Sequence, residues 1–234
     1  MLPPDQPGQE VTGFEPMAAT RQNTTEETWI VWLQLAVMAA LILSYLWIWQ
    51  AKFKGDPVVV IALFAAIAIW SHRWSGETAR DLGFRLDNLG SSLKMVLSVV
   101  IPLAVVMFAI GYWTGLLHVR PLGALMPRLA VLPISGLVQQ YGLLGFYFQR
   151  FQMVLPGSWV STLAAAGTFA LFHLPNIPLT VATFLVGILA CRLYQKAPNL
   201  YALAIAHGIL SFTIDTAFSG LLTDGMKVGH RALS

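Results

Sequence analysis

Charged side chains are scarce in this sequence. Asp, Glu, Lys and Arg together make up 11% of the chain, whereas they make up about a quarter of an ordinary soluble domain. The net charge is only +3 and is dispersed along the chain, which argues against a nucleic-acid-binding protein. The chain has one cysteine, Cys191. It can therefore form no internal disulfide, and a zinc–thiolate site is not expected.

Hydrophobic side chains, in contrast, make up 56% of the 234 residues. Several apolar runs approach the ~20 residues that a helix needs to cross a bilayer. Most of the tryptophans lie near the ends of these runs, as in interfacial belts. The sequence therefore predicts an all-α, polytopic integral membrane protein, a helical bundle of about seven transmembrane helices. The predicted spans are residues 28–49, 57–70, 95–117, 129–151, 156–173, 179–194 and 200–218.

The chain is predicted to form one domain. Residues 1–27 are polar and are expected to be a flexible N-terminal tail, residues 28–218 a single transmembrane domain, and residues 219–234 a C-terminal tail. Residues 71–90 are the most polar internal segment and are expected to form a cytoplasmic, partly helical loop. Because the N-terminal residues do not have the pattern of a signal peptide, we expect insertion through the first span, into a membrane such as the bacterial inner membrane.

Two adjacent glutamines, Gln139 and Gln140, lie inside the apolar run 129–151. Burying an unpaired amide costs roughly 2–7 kcal/mol, so these side chains are expected to meet polar partners on neighbouring helices. The best partners in the sequence are two histidines in apolar runs, His173 and His207. The sequence thus predicts a buried polar cluster that three spans share, and interhelical hydrogen bonding alone would account for it.

These polar residues belong to three short patterns that follow one another along the chain. They are Gln139-Gln140-x-x-x-Leu144, Phe169-x-x-x-His173 and His207-x-x-x-Ser211. In order and spacing they resemble the Glu-Glu-x-x-x-Arg, Phe-x-x-x-His and His-x-x-x-Asn motifs of the CAAX proteases and bacteriocin-processing proteins, the CPBP or Abi family of intramembrane proteases. The resemblance covers about residues 82–218, and it implies a CAAX-protease-like helical core.

The resemblance also implies a site and shows where this chain departs from it. In the family a glutamate activates water for attack on a peptide bond, and the histidines and the asparagine position that water or stabilise the oxyanion. The family-equivalent catalytic positions here are Gln139, Gln140, His173, His207 and Ser211. A glutamine amide cannot accept a proton at neutral pH, and a leucine replaces the family's arginine. We therefore expect these positions to be inactive as a peptidase site.

Asp215 is the one acidic residue inside the last predicted span. It follows His207 and Ser211 at helical spacing, so that the three side chains share a helix face. An acid within a span is a candidate functional residue, and Asp215 could substitute for the missing glutamate. It lies two helical turns from His207, about 12 Å along the axis, and a position at the membrane interface is the alternative interpretation.

Three functions remain open from the sequence. The first is a pseudoprotease that serves as a binding or assembly subunit of a membrane protein complex, with the lipid bilayer and other integral membrane proteins as partners. The second is an active CAAX-processing endopeptidase with a rearranged site, in which Asp215 or a histidine is the base. The third is a membrane protein that binds a hydrophobic ligand or a pigment. No cofactor and no metal are expected, because a metal site needs three or more ligands and the sequence offers two histidines without a nearby carboxylate.

Overall fold

A computed structural model of the protein describes residues 25–53, 58–119, 121–218 and 226–233. Within these residues the chain is helical and contains no strand, which confirms the predicted all-α class. The first 24 residues of the predicted N-terminal tail lie outside the described residues, as do residues 219–225 and 234 of the predicted C-terminal tail.

The main helices follow the predicted spans with shifted ends. They are α1 (Thr25–Ser44), α2 (Val58–Ser75), α3 (Leu89–Trp113), α4 (Leu122–Gln140), α5 (Ser158–Leu171), α6 (Ile177–Lys196) and α7 (Leu200–Ala217). Helix α1 continues through a π-helical stretch, Tyr45–Trp49, into Gln50–Lys52. Helix α4 continues through a longer one, Tyr141–Phe148, into Gln149–Val154. A short 3₁₀ turn, Gly229–Ala232, lies near the end of the chain.

Six helices of the described residues are long and apolar enough to cross a membrane. Helix α5 is the exception to the predicted count of about seven. It has 14 residues and is therefore about 21 Å long at 1.5 Å per residue, short of the ~30 Å hydrocarbon core of a bilayer. Pro156 and Gly157 precede it and Pro175 follows it, so that the segment cannot extend in either direction as a regular helix.

Helix α7 is the central helix, and two thirds of its apolar window, 67%, is buried inside the protein. It packs mainly against α3 and α4. Small residues allow these close approaches: a Cβ on Gly111 of α3 would overlap the backbone of Ala217, and a Cβ on Gly136 of α4 would lie 2.7 Å from the carbonyl oxygen of Ala204. The polar side chains of α7 consequently face other helices.

The loop between α2 and α3, residues 76–88, is fixed to the start of α7. The Leu200 amide donates to the carbonyl oxygen of Gly83 at 2.8 Å. The Asn199 side chain donates to the carbonyl oxygen of Arg85 at 2.7 Å and accepts from the amide of Ala202 at 2.9 Å. One buried side chain therefore caps α7 and anchors the loop.

We expect Asn199→Ala to lower the free energy of unfolding by about 2 kcal/mol, because loss of an N-cap alone typically costs ~1 kcal/mol and the bond to the loop is lost as well. The measurement is thermal unfolding of the purified protein in detergent. Asn199→Ser is the matched control, since serine retains the cap but is too short for the loop. Equal losses in the two variants would show that the cap contributes nothing, and a wild-type stability of Asn199→Ser would show that the loop anchor contributes nothing.

Candidate functional site

A buried amide–imidazole pair joins the end of α4 to the middle of α7. The side-chain nitrogen Nε2 of Gln140 lies 3.2 Å from Nδ1 of His207, and the two residues are only 2% and 9% exposed. An amide N–H can only donate, so Nδ1 must be the acceptor. His207 is then a neutral imidazole that carries its proton on Nε2.

The close approach of α4 and α7 sets this contact. Gly136 lies one helical turn before Gln140, and a Cβ on it would lie 2.7 Å from the Ala204 carbonyl oxygen and 3.4 Å from Cβ of His207. Glycine at this position allows the two backbones to approach closely enough for the amide to reach the imidazole.

The carbonyl oxygen of the Gln140 amide, Oε1, is buried without a hydrogen-bond partner among the described residues. A cavity of about 10 Å³ lies beside the pair, with Gln140 and His207 as its polar lining residues. About one water molecule fits a volume of ~10–15 Å³. Such a water would be hydrogen-bonded by the amide, but the amide could not take a proton from it.

His173 and Phe169 lie next to this pair. The Nδ1 atom of His173 donates to the Phe169 carbonyl oxygen at 2.8 Å. The Phe169 ring lies 4.8 Å from the His173 ring and 6.5 Å from the His207 ring, between centroids. The structure thus brings both predicted histidines to one aromatic side chain. His173 itself follows the last residue of α5, Leu171, and lies in the turn.

The remaining predicted site residues differ in burial. Ser211 and Asp215 follow His207 by one and two turns of α7, and they are 9% and 4% exposed, so that the polar face of this helix points into the protein. Gln139 is only partly buried. Leu144, which the predicted resemblance aligns with the family's arginine, is fully buried in the apolar core.

A second polar cluster was not predicted. Arg150, beyond the π-helical stretch, has no exposed surface. Its guanidinium donates to both carboxylate oxygens of Glu77 at 2.6 and 2.9 Å, to Ser71 at 2.8 Å and to Gln34 at 3.2 Å. These residues come from α1, α2 and the loop 76–88. With His72 and Tyr141, which complete it, they are named the Arg150 cluster below.

His72 connects the two ends of the Arg150 cluster. Its Nδ1 atom lies 2.7 Å from Glu77, and its Nε2 atom lies 2.9 Å from the hydroxyl oxygen of Tyr141, the residue next to Gln140. Burial raises the pKa of Glu77, but hydrogen bonds from His72 and Arg150, together with their charges, outweigh burial and lower the pKa below its ordinary value of 4.5. Glu77 is therefore a carboxylate at neutral pH.

The lowered pKa of Glu77 predicts an acid-sensitive contribution to stability. The contribution is complete above pH 4.5, the ordinary pKa, and it is lost as the pH falls through the lower pKa of the folded protein. We expect the difference in unfolding temperature between wild type and Glu77→Gln to be constant near neutral pH and to shrink below pH 4.5. A difference that stays constant down to pH 3 would contradict this assignment.

One signal in the sequence could have indicated the Arg150 cluster. Arg150 lies inside the predicted span 129–151 and Gln34 inside the predicted span 28–49. A charged residue within a span almost always has a polar partner. The partner Glu77, however, lies in the polar loop, and no spacing rule connects it to Arg150.

An apolar groove of about 410 Å³ lies between α3, α4 and α7. Its lining includes Phe108, Leu132, Pro133, Gly208 and Phe212, and Thr213 is its one polar lining residue. Gly208 is adjacent to His207 in the chain, so the groove begins beside the amide–imidazole pair. Across the part of the chain that the structure describes, no three His, Cys, Asp or Glu side chains are placed to bind a metal ion.

A comparison with known protein families matches the part of the chain that carries the amide–imidazole pair. Residues 121–213 match the family described as type II CAAX prenyl endopeptidase Rce1-like. The match includes α4, α5, α6 and most of α7, and with them both glutamines, both histidines and Ser211. Comparisons with curated proteins and with solved structures found no match. The predicted resemblance is therefore confirmed over residues 121–213, where this integral membrane protein is similar to the Rce1-like CAAX prenyl endopeptidases.

Proposed function

We propose that this protein is a pseudoprotease of the Rce1-like family, a membrane subunit that binds an apolar or lipid-modified membrane partner without cleaving it. The observation that carries the proposal is the Gln140–His207 contact. A neutral carboxamide occupies the family's glutamate position there and donates to a neutral imidazole. General-base catalysis requires a group that accepts the proton of the attacking water. The amide of Gln140 cannot do so, and the basic nitrogen of His207, Nδ1, already accepts from that amide.

The surroundings of the pair support the same proposal. Leu144 places an apolar side chain where the family has an arginine, and it is fully buried. The carboxylate of Glu77 is paired with Arg150 at 2.6 Å and belongs to a different cluster. The cavity at Gln140, about 10 Å³ in volume, leaves little room for both a water and a peptide carbonyl.

The apolar groove supplies the surface for binding. Its volume of about 410 Å³ is lined almost entirely by hydrocarbon side chains, and such sites typically bury most of an apolar ligand. The matched family is named for endopeptidases that act on prenylated CAAX chains. We therefore infer that a prenyl or similar lipid chain on a partner protein lies in the groove.

The experiment is a combined binding and cleavage assay of the purified protein in liposomes with a fluorescent farnesylated peptide. We expect binding, no cleaved product, and binding weakened at least fivefold by Val105→Trp. Val105 lines the groove and is 61% exposed. The control is Val106→Trp, because Val106 is similarly exposed, 54%, on the same helix but is not among the lining residues. Cleavage that disappears in Gln140→Ala would overturn the proposal.

An active peptidase with a rearranged site is the second candidate. It is favoured by Asp215, which is 4% exposed and lies on the face of α7 that carries His207. In this case Asp215→Asn, His173→Ala or His207→Ala would abolish cleavage of the farnesylated peptide. Absence of cleavage by the wild-type protein, or cleavage that none of the three substitutions changes, excludes this candidate.

A further inference from the structure

The π-helical stretch Tyr141–Phe148 lies between the two polar sites. Gln140, just before it, contacts His207 on α7. Tyr141, its first residue, contacts His72 on α2. Arg150, just after it, binds Glu77 and also lies 3.1 Å from His72. One imidazole, His72, therefore touches residues at both ends of the π-helical stretch.

A π-helical stretch needs such contacts because the α-helix is the more favourable form of a regular helix. Each residue of an α-helix turns by about 100°, and the wider π-helical turn changes the angle between the residues on its two sides. If Tyr141–Phe148 became α-helical, Gln140 and Arg150 would rotate relative to each other. They could not then keep their contacts with His207 and Glu77 at the same time.

Gly145 fits the same arrangement. A Cβ on Gly145 would lie 2.8 Å from Cδ2 of Tyr141, so the Tyr141 ring rests against the backbone of the π-helical stretch. The ring reaches His72 from this position. Gly142, in the same stretch, has room for a Cβ, since the nearest atom would be the end of the Phe64 ring at 4.0 Å.

We propose that the Arg150 cluster is a conformational clamp that controls the Gln140–His207 pair. The clamp fixes the π-helical stretch, and displacement of the loop 76–88 releases Glu77 from Arg150 and Gln140 from His207. The inference rests on the proposed function only in taking this pair as the site that is regulated. A partner that binds the exposed part of the loop, around Thr78 and Arg80, would thereby change the interior site.

The experiment measures the imidazole nitrogens of His207 by ¹⁵N NMR in the full-length protein, labelled only at histidine and solubilised in detergent. The chain has five histidines, and the His207 signals are assigned with the variant His207→Gln. The variant Gln140→Ala gives the reference position of the His207 Nδ1 signal, because it removes the hydrogen-bond donor. We expect Glu77→Gln and Tyr141→Phe to move the Nδ1 signal toward this position, although neither residue touches His207.

Two pairs of variants, each consisting of a test variant and its control, make the experiment specific. Asp87→Asn removes the other arginine-paired carboxylate of the loop, which binds Arg85 and Arg80 at the surface, and we expect it to leave the His207 signal unchanged. Gly145→Ala is expected to move the signal and Gly142→Ala to leave it in place. If Glu77→Gln is unstable, Tyr141→Phe, which removes one hydroxyl group, gives the same readout.

An unchanged His207 signal in folded Tyr141→Phe and Gly145→Ala would overturn the clamp, as would equal shifts in Glu77→Gln and Asp87→Asn. The outcome is independent of the proposed function because the NMR signal reports a hydrogen bond. Peptide cleavage by the wild type would overturn the pseudoprotease but not the clamp. Absence of cleavage together with an unchanged His207 signal in these variants would overturn the clamp but not the pseudoprotease.

Discussion

Arg150→Met is expected to lower the free energy of unfolding by about 3–5 kcal/mol, the usual cost when one partner of a buried ion pair is removed. Methionine fills most of the arginine volume but cannot donate. Glu77, Ser71 and Gln34 would all lose the donor that they share. The measurement is SDS-induced unfolding of the purified protein in mixed micelles, followed by tryptophan fluorescence.

Arg80→Met is the control for Arg150→Met. The Arg80 side chain is 65% exposed and pairs with Asp87 at the surface, where ion pairs contribute little, so its unfolding midpoint should stay at the wild-type value. The double variant Arg150→Met with Glu77→Gln should recover part of the lost stability, because no carboxylate then remains buried without a partner. Equal losses from Arg150→Met and Arg80→Met would contradict a buried ion pair.

Gly136→Ala should separate α4 from α7 and lower the free energy of unfolding by about 1–3 kcal/mol, the typical cost of overpacking. The added Cβ would lie 2.7 Å from the Ala204 carbonyl oxygen. That atom is backbone and cannot move alone. The same variant should lose the Gln140–His207 hydrogen bond, which the ¹⁵N signal of His207 measures directly.

Gly123→Ala is the control for Gly136→Ala. Gly123 lies in the same helix, and a Cβ on it would meet no atom within 4 Å. Alanine is the better helix former by roughly 1 kcal/mol, so this variant should be as stable as wild type or more so. If Gly136→Ala were also neutral and kept the His207 signal, the close approach of the two helices would not be what positions the pair.

The sequence predicted the histidine that Gln140 contacts, but it did not predict the type of helix that follows Gln140. The patterns around Gln140 and His207 follow from local spacing, and each pattern lies within one helix. The change from α- to π-helix at Tyr141 has no such local signature. The contacts on its two sides, of Tyr141 with His72 and of Arg150 with Glu77, involve an earlier helix and its loop.

The Arg150 cluster shows the same limit. A buried guanidinium in an apolar span needs a polar partner, such as a carboxylate, and that requirement can be stated from sequence. Which carboxylate meets it depends on how the loop 76–88 folds back. The bond between Gly83 and Leu200 and the two bonds of Asn199 decide this.

Composition and the order of apolar runs determined by themselves that this protein is an all-helical membrane bundle, because scarce charge and long apolar runs leave no other way to satisfy the backbone. The three motifs likewise predicted the resemblance to the CAAX proteases, which the match over residues 121–213 confirms. Only the tertiary structure decided that Gln140 rather than Gln139 meets His207 and that Glu77 pairs with Arg150. Each of these depends on how closely separate helices approach one another, which no single segment encodes.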